Sequence, residues 1–180
     1  MRKPNRLTLI LAFLAAIASP AAAKDSLGVF SDWAAFRDVG APRCYAIAKA
    51  EPVGPLTTAA REYEPYISVG TWPDRQIRNQ LHIRLSREMN EGSSISLRIG
   101  GRTFQLTGGG GDAWARDRAM DAAIISRMRS AETMRVTSIT TTGRRFTDTY
   151  RLTGAATAID AATLGCAPAA LEGARRSPRS

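Results

Sequence analysis

Two runs of strict alternation joined by a glycine pair constrain this chain more than any other feature. Ile95, Leu97 and Ile99 alternate with Ser96 and Arg98; after Gly100-Gly101, Phe104 and Leu106 alternate with Thr103 and Gln105. A period of two sends successive side chains to opposite faces of a strand. The tightest turn between strands needs positive φ, which glycine adopts without strain. The segment is therefore a hairpin with one apolar and one wet face.

A second hairpin follows the same logic. Met134-Arg135-Val136-Thr137 leads through the Thr142-Gly143-Arg144 turn. The chain returns along Phe146, Asp148, Tyr150 and Leu152, with Arg145, Thr147, Thr149 and Arg151 on the other face. Leu81, Ile83 and Leu85 alternate with His82, Arg84 and Ser86 in a further half-buried strand. Shorter strand candidates are Ser31 to Phe36, Arg43 to Lys49 and Tyr66 to Trp72. One helix is inserted at about 117–130: Asp117 is a good N-cap, and Met120, Ala123, Ile124 and Met128 recur at helical spacing. A short second helix spans about 155–164 and stops at Gly165. The order predicts a mostly β domain, an antiparallel sandwich or open barrel built from hairpins, with one inserted and one closing helix.

Residues 1–23 read as a leader. Arg2, Lys3 and Arg6 precede the apolar run Leu7 to Ala18, and Ala21 and Ala23 frame an A-x-A cleavage site before Lys24. The apolar run is shorter than the roughly 20 residues that cross a bilayer. We therefore expect a periplasmic or secreted protein, cleaved near Ala23, with no transmembrane segment afterwards. A single domain over 24–168 would remain, followed by a tail at 169–180 that is expected to be disordered, since Glu172 to Ser180 has too few apolar residues to pack.

The leader carries three cations and no acid, so its loss lowers the net charge from +9 to about +6. A basic excess made mostly of arginine favours anionic partners, and Arg forks onto phosphate or carboxylate. An ordinary solvated basic surface accounts for the charge more readily than a specific anion site, since net charge does not localise one. Cys44 and Cys166 are the two cysteines. In an exported chain an even number suggests a bridge, which would close most of the domain and contribute up to ~4 kcal/mol. Two free thiols or an intermolecular pair stay open, because spacing does not show that the sulfurs meet.

Catalytic and metal signatures are weak. His82 is the single histidine, and alternation places it on a wet face beside Arg84, as an ordinary surface side chain. No G-x-S-x-G elbow is present. One histidine and two distant cysteines lack the spacing of a zinc site. Asp112, Asp117 and Asp121 surround the helix start, where acids complement the dipole, without the spacing of a calcium loop. Gly108 to Gly111 lacks the ending of a phosphate-binding loop and reads as a flexible connector. No catalytic residue, metal or cofactor is expected, and nothing specifies nucleic acid. The aromatics fall mostly at strand positions and read as core, although Trp72 and Trp114 adjoin loops and would make an exposed pair. Alternation puts His82, Arg84, Arg98, Arg145 and Arg151 on polar faces. If the two hairpins share a sheet, these five are the candidate anion-binding residues.

Phe30-Ser-Asp-Trp-Ala-Ala-Phe36 followed by Arg43-Cys-Tyr-Ala-Ile-Ala-Lys49 resembles the opening of the invasion-associated locus B family of alphaproteobacterial envelope proteins. The helix around Met120 to Met128, the strand at Met134 to Ser138 and the closing Leu152 to Ile159 are similar to that family's second half. Many members carry further cysteines, where this chain has Phe36 and its neighbours and the stretch Gly109 to Trp114. By that comparison Cys166 is the partner left for Cys44. The resemblance implies a β-rich periplasmic or secreted protein, associated in some bacteria with host-cell invasion, and no known reaction. The expected function is non-enzymatic binding of an anionic envelope or host-surface component through the arginine-bearing strand faces. The alternatives are a hydrolase of envelope material using His82 or a carboxylate, and a structural envelope protein that binds another protein. Oligomeric state is left open.

Overall fold

The alternating segments become ten antiparallel strands in one open sheet, in a computed structural model that describes residues 24–38, 40–52 and 61–168. The expected leader and tail lie outside the described residues. The strands are β1 (Lys24–Phe30), β2 (Trp33–Asp38), β3 (Arg43–Lys49), β4 (Tyr66–Trp72), β5 (Ile77–Arg84), β6 (Ile95–Ile99), β7 (Arg102–Gly109), β8 (Asp112–Trp114), β9 (Thr133–Ile139) and β10 (Arg145–Arg151). Helix α1 (Arg118–Met128) is inserted before β9, and α2 (Ala155–Gly165) closes the fold. The sheet order is β1-β2-β3-β4-β5-β8-β7-β6-β9-β10. The antiparallel, mostly β class with one inserted and one closing helix is as expected.

The glycine run is where the expectation fails. It is no flexible connector. Gly108 and Gly109 are ladder residues of β7, Gly110 turns with φ +59°, and β8 then pairs with both β7 and β5. A Cβ on Gly108 would collide with the Asp112 carbonyl oxygen, so the two strands approach as only glycine permits. This three-residue strand joins the early meander to the later hairpins. The Gly100-Gly101 and Gly143 turns behave as expected, all with positive φ.

One face of the sheet is the core. Ala46, Ile67, Leu81 and Ile83 from the first half, and Leu97, Met134, Val136 and Tyr150 from the second, are all buried. The two ends of the ladder are drawn together over this core. The Trp33 indole Nε1 donates to the Arg151 carbonyl at 2.9 Å, Glu51 N–H to the Thr149 carbonyl at 2.8 Å, and the Tyr150 hydroxyl to the Arg84 carbonyl at 3.4 Å. Asp148, 2 % exposed, accepts the Ser86 N–H at 2.9 Å.

Helix α2 lays Ala155, Ala158, Ile159 and Ala162 against β1, β2 and β3, where Ala35, Ala46 and Ala48 face it. Small residues on both sides let helix and sheet come close, and the Cys44–Cys166 disulfide pins the helix end to β3 with a Cα–Cα distance of 5.7 Å. Helix α1 is capped by Asp117, whose carboxylate accepts the Met120 N–H at 2.8 Å. Its buried face is Asp121, Ile124, Ile125 and Met128, rotated from the expected stripe, in which Met120 and Ala123 are only partly buried. The reason is that Asp121 Oδ1 accepts the Leu81 N–H of β5 at 2.8 Å, so an acid is drawn into the contact. Asp112, Asp117 and Asp121 therefore serve three separate places.

Candidate functional site

Wherever alternation sends an aliphatic residue into the core, its neighbour faces out. On β3, β4, β5 and β8 those neighbours are Tyr45, Tyr66, Ser68, Gln80, His82 and Trp114, and they line a groove of about 410 Å³. Trp72 completes it. The β4–β5 register shifts between Gly70 and Trp72, and the indole folds back over Gly70, where a Cβ would come within 2.5 Å of the ring. The aromatics thus divide. Trp33, Phe104, Phe146 and Tyr150 are core as expected, whereas Tyr45, Tyr66, Trp72 and Trp114 are on the outer face. Trp114 is 37 % exposed.

His82 is more constrained than a surface histidine. Its Nε2 donates to Asp112 Oδ1 at 2.8 Å, and Arg84 Nη1 donates to Asp112 Oδ2 at 2.5 Å. The ring stacks on Trp114 with centroids 5.2 Å apart, and Tyr66 meets it edge-on at 5.6 Å. The Arg84 guanidinium lies over Tyr63 at 3.9 Å. Both carboxylate oxygens of Asp112 are therefore committed. Ser68 is the register partner of His82 on the next strand, and no hydrogen bond joins the two side chains. The triad-like row Ser68, His82, Asp112 is a geometric neighbourhood whose acid is held by two partners, His82 and Arg84.

The remaining predicted residues occupy the outer face of the second half. Arg98 on β6 and Arg135 on β9 are direct register partners. Among the described residues neither is ion-paired; Glu132 lines the same depression, of about 290 Å³, without bonding to them. Arg145 and Arg151 stand at opposite ends of β10, roughly 20 Å apart at the rise of a strand. Arg151 Nε donates to Glu51 Oε1 at 2.7 Å. The two hairpins share a sheet, yet β8 and β7 separate His82 and Arg84 on β5 from Arg98 on β6, about 14 Å across the ladder. The five candidates are not one cluster. Arg135 was missed, although the alternation of Met134 and Val136 already turns it outward.

The acids whose carboxyls burial raises lie elsewhere. Burial pushes the Asp148 carboxyl above the ordinary carboxylate range, against the Ser86 hydrogen bonds and the nearby Arg61 and Arg87. Burial also raises Asp121 and Tyr150. These groups hold strands together inside the molecule, and none lines the groove.

No match was found among curated proteins or solved structures. The model of one family, described as Invasion associated locus B (IalB) protein, matches residues 55–163. That span runs from before β4 into α2 and takes in the His82–Asp112 pair, the arginine face and α1. On this match, which covers more than half of the chain, the protein belongs to the invasion-associated locus B family.

Proposed function

We propose that this is an exported, non-enzymatic binding protein whose arginine-bearing outer face takes an anionic component of the envelope or of a host surface. One observation carries the reading. Arg98 and Arg135 lie directly opposite each other on an exposed sheet face, with no acid paired to them among the described residues. Like charges in that position destabilise a sheet, and an anion held between two guanidinium forks relieves the repulsion. Arg84 and Arg151, already engaged with Asp112 and Glu51, contribute less. Arg145 extends the basic face along β10.

The test is binding to lipopolysaccharide, with a sulfated polysaccharide as a second anion. Joint replacement of Arg98 and Arg135 by Ala weakens binding severalfold and flattens its salt dependence, because an ionic contact responds to screening. Replacement of Arg84 has the smaller effect. Binding that ignores both added salt and the Arg98/Arg135 double variant would falsify the reading.

A hydrolase remains the alternative that the His82–Asp112 contact invites. What supports binding instead is that His82 is held by Asp112, Trp114 and Tyr66 together. Turnover of cell-wall or ester substrates that disappears in His82→Ala would reverse the choice.

A further inference from the structure

The groove on the first half's outer face is chemically unlike the arginine face, and the reading above leaves it without a role. Its walls are aromatic, from Tyr45 on β3 to Trp114 on β8, three ladder spacings or about 14 Å away. Polar atoms sit between the rings. The Ser68 hydroxyl and Gln80 amide make no hydrogen bond with any described residue, nor do the indole N–H groups of Trp72 and Trp114. Tyrosine and tryptophan each carry a polar tip on an apolar body, and four of them line this open groove. The end nearest β1 is cationic. Lys24 Nζ lies 5.9 Å and the Arg43 guanidinium 4.9 Å from the Tyr45 ring centre, and Arg43 has only a 3.5 Å contact to Asp38.

We infer that this groove is a binding site for a short acidic oligosaccharide. A sugar ring has an apolar C–H face and an equatorial rim of hydroxyls. The first suits the flat faces of Trp72, Trp114 and Tyr66; the second suits Ser68 and Gln80. An acid substituent finds Lys24 and Arg43 at one end. A purely apolar ligand would leave the unpaired amide and hydroxyl buried without partners. The groove is also open, as suits a segment of polymer rather than an enclosed small molecule.

Folded protein would be titrated with a panel of uronate-containing oligosaccharides, their neutral counterparts and a library of acidic peptides. Binding is read by the tryptophan emission, since two of the three tryptophans line the groove and Trp33 is buried. An acidic oligosaccharide is expected to shift the emission. Trp72→Ala and Trp114→Ala each weaken it by about tenfold, with Trp114→Phe recovering part of the loss and an unchanged unfolding midpoint showing that the fold survives. Replacing Lys24 and Arg43 by Ala removes the preference for acidic over neutral sugars. The Arg98/Arg135 double variant keeps full sugar binding, which separates this site from the anion face. No emission change with any sugar, binding indifferent to both tryptophans, or a response to peptides alone overturns the inference.

Discussion

The Cα of Gly154, at the start of α2, lies against the carbonyl oxygen of Phe30 at the end of β1, so close that a Cβ there would collide with it. Gly154 also has φ +87°, in the left-handed region that disfavours side chains. Both facts come from one contact, the helix start seated on the edge strand. At the other end of the helix the Leu27 side chain packs against Gly165, where a Cβ would come within 2.5 Å of it.

Gly154→Ala is therefore expected to destabilise the fold by about 2–4 kcal/mol, combining backbone strain with the displacement of β1. Urea unfolding of the two proteins measures the difference. A change below about 0.5 kcal/mol, the scale of an ordinary surface substitution, would mean that β1 and α2 are not locked together.

Reduction of Cys44–Cys166 releases a loop spanning 122 residues, for which chain entropy gives about 4–5 kcal/mol. The unfolding midpoint should drop sharply with reductant, and equally in a Cys44→Ala/Cys166→Ala variant without it. Intact mass on protein from the cell envelope tests the expected processing at the same time. A mass starting at Lys24, with both thiols blocked to alkylation until reduction, is the predicted result. A full-length mass with two free thiols would refute both export and the bridge in the cell.

Asp148 offers a pH test. Burial raises its folded-state pKa above the unfolded one, which outweighs the opposing hydrogen bonds and arginines. The folded state then holds its proton more tightly, so this group's stabilisation is full below the ordinary carboxylate range. It is lost as pH rises through the raised value. Asp148→Asn keeps an oxygen to accept the Ser86 N–H but cannot ionise. Its stability relative to the parent should increase from pH 3 to pH 7, in urea titrations across that range. A constant difference would show that Asp148 is paired well enough to ionise normally.

Gly70→Ala should push the Trp72 indole off the sheet, since the added Cβ meets the far end of that side chain at 2.5 Å. The expected signature is red-shifted tryptophan emission with a stability change within about 1 kcal/mol, because the core face of β4 is untouched. Unaltered emission would mean that the indole is not resting on Gly70.

The parts legible in the chain are those whose physics is local. Alternation at Ile95–Ile99 and Phe104–Leu106, the Gly100-Gly101 turn, β3 and β4, and the Asp117 cap all follow from neighbours within a few residues. Strand β1 is different. Its register shifts between Ser26 and Gly28, so its side chains change face midway and no period of two survives to be read. Strand β8 has three residues, too few for any period, and exists because β5 and β7 both pair with it.

The site divides along the same line. Alternation alone turned His82, Arg84, Arg98, Arg145 and Arg151 outward, because which face a side chain takes is a property of its own strand. Which of them meet is a property of strand order, and that was decided by pairings between residues far apart in the chain. The order placed Arg98 beside Arg135, bound Arg84 and His82 to Asp112, and gathered Tyr45, Tyr66, Trp72 and Trp114 from three strands into one groove.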